Sequence, residues 1–251
     1  VKVSIITVVY NGQACIQRCI ESVLGQDYAD IEYIIVDGNS KDNTLSIIKK
    51  YEDRISRVIS EPDQGIYDAM NKGVEVASGE VIGILNADDE YMHSQVISRV
   101  VSTFKHNQGD AVYGNLEYVK HLPDNTIETV RKWRSGLYKD GAFLKGWMPP
   151  HPTFFVKKEV YEKFGTFRLD LGSAADYELM LRMIHKHKIS IVYIDETITR
   201  MSVGGVSNRS IKNRIIANQN DRKAWKVNDL KPAFYTLYLK PLRKILQFFK
   251  L

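Results

Sequence analysis

Apolar positions in the first 120 residues fall into short β-branched runs separated by amphipathic stretches. Val3-Ser4-Ile5-Ile6-Thr7-Val8-Val9 closes a strand expected over 2–9, and Ile31-Glu32-Tyr33-Ile34-Ile35-Val36 leads a second to Asp37. Further strands are expected over 56–61 and 80–86. Between the first two, Ile16, Cys19, Ile20, Val23 and Leu24 keep the spacing of one buried helix face. Asn11 is the expected N-cap of that helix. Ser40 is the expected cap of a second helix carrying Leu45, Ile48 and Tyr51, and a third runs from about 66 to 77. Strand and helix alternating at this spacing predict an α/β fold with a mostly parallel central sheet flanked by helices.

The alternation continues through a helix near 94–106 and a strand near 110–119, then loosens. Residues 116–134 read as a hairpin turning at Pro123-Asp124-Asn125. Residues 135–152, rich in Gly, Pro and aromatics, read as a functional loop rather than a core element. A strand at 153–157, helices at 158–164 and 174–187, a strand at 190–194 and a polar helix near 209–226 complete the body.

Three of the early strands end in acidic turns: Asp37, Glu61-Pro62-Asp63 and Asn86-Ala87-Asp88-Asp89. In a parallel sheet the carboxyl ends of the strands share one edge, and ligands bind in the crevice outside it. Asp and Asn are also ordinary turn residues, so any one of these turns is explained without a ligand. Gathered together, the carboxylates repel unless a cation, sugar hydroxyls or base N–H groups lie among them. Mg²⁺ and Mn²⁺ take oxygen ligands, commonly one or two carboxylates plus substrate phosphates, and Asp88-Asp89 fits that pattern.

The same residues carry a resemblance. Thr7-Val8-Val9-Tyr10-Asn11, the run Val36 to Thr44, the run Glu61 to Gly73, Leu85 to Asp89, and Ala174-Ala175-Asp176-Tyr177-Glu178-Leu179 resemble segments of the family-2 glycosyltransferases. That resemblance runs from residue 3 to about 207. It implies a GT-A fold and an inverting, metal-dependent transfer of one sugar from a nucleotide donor, with UDP favoured. It implies a nucleotide pocket containing Thr7, Tyr10, Asn11, Asp37 and Asp63, with Asn86 and Asp88 toward the ribose or sugar. Asp89 is expected to hold Mn²⁺ or Mg²⁺, and Lys72 to lie near the phosphates. Asp176 is the expected catalytic base. It also sits in Ser173-Ala174-Ala175-Asp176, which reads as a capping box. Glu178 and Arg182 read as an exposed i, i+4 helix pair. His151 and Trp147 are candidates for diphosphate or acceptor contact, although a loop aromatic more often anchors its loop to the core. His185 and His187, late in a helix, suit the dipole as imidazolium. On this reading 1–228 is the transferase domain, divided into a nucleotide-sugar half (1–115) and an acceptor and base half (116–228). Residues 229–251 are an amphipathic tail.

Charge and composition narrow the partners. Residues 201–251 hold eleven Lys or Arg against two Asp or Glu, although the whole chain of 251 residues carries only +5. Within 231–251, Phe234, Leu237, Tyr238, Leu242, Ile245, Phe248 and Phe249 recur near helical spacing, with Lys240, Arg243, Lys244 and Lys250 between them. That pattern suits an anionic membrane surface, with the cations snorkelling to headgroups. Packing on the body or on a second copy of the chain, as a homodimer, is the alternative. Nucleic acid is not an expected partner. No apolar run is long enough to span a bilayer, and the first residues lack a secretory pattern. The expectation is a cytoplasmic protein, peripheral on the inner face of the membrane, acting on glycan or lipid-linked acceptors in cell-surface polysaccharide assembly. Cys15 and Cys19 lack the partners a zinc site requires and read as reduced, packed thiols.

Other classes fit less well. A nucleotidyltransferase needs a Gly-rich basic loop after the first strand, where this chain has Tyr10-Asn11-Gly12-Gln13. A Rossmann oxidoreductase needs G-x-G-x-x-G there. A non-catalytic sugar-nucleotide-binding homologue would be expected to lack Asp89 or Asp176. A processive synthase would carry membrane helices and Gln-x-x-Arg-Trp, which are missing.

Overall fold

The structure is a computed structural model and describes residues 1–124, 126–203 and 211–245; for 211–215 and for Lys244 and Ile245 the backbone alone is described. Asn125 of the expected turn, 204–210 running into the start of the expected polar helix, and Phe248, Phe249 and Lys250 of the tail lie outside the described residues.

Four strands form a parallel block: β1 (Val3–Val9), β2 (Ile31–Asp37), β3 (Arg57–Ser60) and β4 (Val81–Ile84). Val3 pairs with both Ile31 and Val81, so β1 is central. Helices α1 (Ile16–Leu24), α2 (Thr44–Lys49) and α3 (Ile66–Val76) connect them. The sheet extends through β8 (Phe155–Lys157), β6 (Ala111–His121), β9 (Ile191–Ser202) and the three-residue β5 (Asp89–Tyr91), while β7 (Ile127–Trp133) closes a hairpin with β6. The boundary at 115/116 between the two expected halves falls inside β6, which joins them in one sheet.

Both faces of the parallel block are covered, which is why its strands read as nearly continuous apolar runs. On one face Ile6, Val8, Ile34 and Ile84 pack with Ala69, Met70 and Val74 of α3. On the other, Ile5, Val9 and Ile35 meet Ile16, Cys19 and Ile20 of α1, together with Val96 and Val100 of α4 (Val96–Asn107). Gly73 lets α3 settle onto β1, because a Cβ there would collide with Ile6.

Several local expectations are corrected. Asn11 does not cap α1; it adopts φ 50°, donates its N–H to Ser40 Oγ (2.8 Å) and accepts the Lys41 N–H on Oδ1 (2.8 Å). Ser40 likewise does not cap α2, because its Oγ accepts the Asn11 N–H and its own N–H goes to Asp37 Oδ2. Asp42 Oδ1 accepts the Thr44 N–H instead and starts the helix. No side chain caps α6 (Ala175–Met180), whose N-cap is Ala174, so the capping box at Ser173 is not formed. Glu178 and Arg182 are not an exposed pair. Glu178 is 1% exposed, bonded to Arg182 Nε at 2.8 Å and to Asn228 Nδ2 at 2.9 Å. Arg182 also reaches the carbonyls of Phe164, Gly165 and Thr166 and fixes the chain that follows α5 (Lys158–Phe164). The helix beyond α6 continues as a wider π-type turn, Leu181–Lys186. His185 and His187 pack edge-on to Trp225 and flat on Phe164, and burial, with nearby lysines, lowers both below the usual imidazole value. They are packing groups rather than imidazolium caps.

The tail folds back on the body. α8 (Thr236–Ile245) follows α7 (Ile211–Val227). Thr236 Oγ1 bonds the Leu144 carbonyl, and Lys240 pairs with Asp221 (2.7 Å) while lying 3.6 Å above the Tyr177 ring. Lys240 is therefore turned inward, not toward headgroups. Phe234, Tyr238 and Leu242 remain exposed at i, i+4, i+8 spacing. No helix among the described residues is long and apolar enough to cross a membrane.

Candidate active site

The carboxyl edge of the parallel block collects the acidic turns. Asp37, at the end of β2, is fully buried: Oδ2 accepts the Ser40 N–H (3.1 Å) and Ser60 hydroxyl (2.7 Å), and Oδ1 has no partner among the described residues. Gly38 beside it brings the backbone against Asp63, whose carboxylate a Cβ would strike. Asp63 Oδ1 accepts the Gly65 N–H at 2.8 Å and so shapes the entry to α3. Tyr10 stands 63% exposed at the end of β1. Tyr10, Gly38 and Asp63 thus share one wall, stiffened from behind by Asp37 and Asn11.

Two expected pocket residues lie elsewhere. Thr7 points into the core, taking the Tyr33 hydroxyl (3.1 Å) and touching Cys19 Sγ (3.5 Å). Strand alternation dictates this: Thr7 shares the α1-facing side of β1 with Ile5 and Val9. Lys72 is held by Glu61 Oε1 and the Pro62 carbonyl, both at 2.8 Å, with Asp68 at 3.7 Å. It neutralises its own turn rather than facing the carboxylate cleft.

The third acidic turn, after β4, differs in kind. Asp89 begins β5 and pairs with Met201 of β9, so its backbone is locked on both sides of the cleft. Its side chain is 1% exposed. Oδ2 accepts Asn86 Nδ2 at 3.2 Å and the Ser202 N–H also acts on the carboxylate, while Oδ1, like Asn86 Oδ1, is buried without a partner among the described residues. Burial, and then the neighbouring Asp88 charge, push the Asp89 carboxyl well above its ordinary value. Asp88 opens to solvent; desolvation by the cleft walls raises it too, with Arg18 working against the shift. An orphaned carboxylate oxygen beside a second carboxylate and an amide oxygen is an all-oxygen donor set, which fits Mg²⁺ or Mn²⁺. Among the described residues no three His, Cys, Asp or Glu side chains converge, so such an ion would take its remaining ligands from substrate and water.

Asp176 sits half-buried in the first turn of α6, its Oδ1 accepting the Tyr177 N–H at 2.7 Å. Its negative charge acts on three surrounding groups: Tyr67, Tyr118 and His151. Tyr118 also feels Asp89, so both carboxylates lie near its ring. His151 is buried edge-on to Phe167 (5.4 Å); burial lowers its imidazole below the usual value, with Asp176 opposing. Trp147 is corrected. It is 5% exposed, its indole N–H goes to the Ser135 carbonyl (2.8 Å), and it packs among Tyr113, Tyr138 and Phe143. The loop at 135–152 is pinned by this core, and no face of Trp147 is left for an acceptor.

Two residues escaped the sequence reading. Arg131 of β7 is buried with its guanidinium 3.7 Å above the Tyr118 ring, bringing positive charge to the acidic cleft. Tyr67 stacks on Phe167 beside Asp176. Arg131 had no local signal, since an Arg in a hairpin is ordinarily solvated. Tyr67 stood inside the Glu61–Gly73 segment without a role.

The match to known proteins follows the same segments. Residues 4–165 match the family described as glycosyl transferase family 2, well over half of the chain. The chain belongs to that family. A PGL/p-HBAD biosynthesis glycosyltransferase of Mycobacterium tuberculosis is 27% identical over 210 residues, covering 82% of this chain and 78% of its own length. An uncharacterized glycosyltransferase of the same species is 31% identical over 183 residues, 72% and 68% of the two chains. Among solved structures, Staphylococcus aureus TarS 1–349 in complex with UDP overlays with a TM-score of 0.69 at 18% identity, covering 97% of this chain and 71% of that one. The mannosyltransferase PcManGT of Pyrobaculum calidifontis, in complex with GDP-Man and Mn²⁺, overlays at 0.67 with 18% identity, covering 98% and 69%. The family-2 chain has the GT-A fold and is a glycosyltransferase.

Proposed function

We propose that this family-2 enzyme transfers a single sugar, with inversion, from a uridine diphosphate donor to a hydroxyl of a glycan or lipid-linked acceptor in cell-surface polysaccharide assembly. The observation that carries the reading is two unlike carboxylates near Tyr118: Asp89 buried and under-satisfied, Asp176 half-exposed at a helix start. The TarS complexes with UDP and UDP-GlcNAc support a uridine donor, and the GDP-Man and Mn²⁺ complex of PcManGT supports a divalent ion.

Asp63 and Tyr10 contact the base and ribose, with Asp37 and Asn11 holding their loop from behind. Asp89, with Asn86 and Asp88, would hold Mn²⁺ or Mg²⁺, and Arg131 adds positive charge beside Tyr118. The chemistry that such an ion supplies when bound is neutralisation of the departing diphosphate. Asp176 accepts the proton of the acceptor hydroxyl as its oxygen attacks the anomeric carbon from the face opposite the leaving group. The helix N-terminus favours the ionised carboxylate that this task requires. His151, kept neutral by burial, lines the acceptor side. The exposed stripe of Phe234, Tyr238 and Leu242 offers an apolar contact for a membrane carrying a lipid-linked acceptor.

The test is nucleoside diphosphate release from UDP- and GDP-sugars with Mn²⁺, comparing wild type with Asp176→Asn. Release that requires Mn²⁺ and is lost in Asp176→Asn is expected. Release undiminished in that variant contradicts the assignment.

A further inference from the structure

The Glu61–Gly73 segment does more than line the donor site. On α3, Tyr67 and Asn71 lie four residues apart and so share one face. Asn71 grips the main chain of Phe167 twice: Nδ2 donates to its carbonyl and Oδ1 accepts its N–H, both at 2.9 Å. Arg182 holds the three preceding carbonyls. Phe167 is thereby a fixed shelf. Tyr67 stacks on it with ring centroids 5.5 Å apart, and His151 meets it edge-on. This packing aims the Tyr67 phenol at Asp176, and burial with the Asp176 charge raises that phenol well above its ordinary value. A stacked, neutral tyrosine beside a carboxylate is a hydrogen-bond donor in waiting.

We propose that Tyr67 is a positioning residue for Asp176, held to its task by the clasp between Asn71 and Phe167. The phenol donates to the carboxylate and fixes its direction. The loop around Asp63 leads directly into the same helix, so α3 ties the donor wall to the base. The contact stands independently of chemistry, but its catalytic meaning rests on the reading of Asp176 as the base.

The test is steady-state nucleoside diphosphate release in the Mn²⁺ assay, comparing wild type, Tyr67→Phe and Asn71→Ala. Tyr67→Phe keeps the stack on Phe167 and removes only the hydroxyl. It is expected to lower kcat roughly tenfold with donor KM unchanged. In Asn71→Ala, where the shelf loosens, kcat falls the same way by less. A kcat identical in wild type and Tyr67→Phe overturns the proposal. Full turnover in Asp176→Asn would instead overturn the base assignment on which the proposal rests.

Discussion

Two carboxylates at opposite edges of the same sheet are treated in opposite ways. Glu32, near the amino end of β2, accepts from Ser4 Oγ, from the Ser78 N–H (2.7 Å) and hydroxyl (2.6 Å), and from Lys2 Nζ (3.4 Å). Burial pulls Glu32 upward, but these donors outweigh it and bring the carboxyl down to about 2. Asp89, at the carboxyl edge, receives a long amide contact from Asn86 and a main-chain contact from Ser202, too little to offset burial, and is pushed the other way. The sequence supplies donors for the half-buried Glu32, where the fold alone is served, and leaves Asp89 short of them at the edge where the proposed ion would sit. Under-satisfaction in a fold otherwise well paired marks the site.

That contrast can be broken or sharpened by mutation, beginning with the largest effect. Asp176→Asn lowers kcat by about 10²–10⁴ while donor affinity, measured by calorimetry, stays near wild type. Glu178→Ala leaves Arg182 buried without its carboxylate and costs about 3–5 kcal/mol of unfolding free energy in urea titrations. Glu32→Gln costs about 2 kcal/mol at neutral pH. Because the folded-state value of Glu32 is depressed, that contribution is complete above the unfolded value of about 4.3 and fades as pH falls toward 2. The gap between wild type and variant should therefore close in acid. Asp89→Asn does the reverse. A raised folded-state value means stability is lost as pH rises from about 3.9 through the folded value, so the amide raises the metal-free melting temperature at neutral pH by roughly 2–4 °C.

The parallel block was legible because its signals are local. Strands buried on both faces leave continuous apolar runs, and α1 and α3 keep helical spacing. The acidic turns at their ends placed Asp63, Asp88 and Asp89 at one edge. What sequence missed depends on contacts far along the chain. β5 is three residues held by β9, and nothing in Asp89-Glu90-Tyr91 announces it. Glu178 and Arg182 have the spacing of a surface pair, and their burial comes from Asn228 and the 164–166 carbonyls. Trp147 and Lys240 were misread for one reason: a loop and a basic tail look solvated until the body packs against them. Thr7 lay within a recognised motif, yet strand alternation turns it inward. The same distance hid the clasp between Asn71 and Phe167.

The central proposal is that the under-satisfied carboxylate of Asp89, beside exposed Asp88, takes up a divalent ion and a nucleoside diphosphate together. Calorimetric titration of UDP-sugars and GDP-sugars, with and without Mn²⁺, tests it most directly, using wild type beside Asp89→Asn. The account predicts binding of one donor that strengthens at least tenfold with Mn²⁺, and loss of that increment in Asp89→Asn. Equal donor affinity with and without Mn²⁺, unchanged by Asp89→Asn, would contradict it.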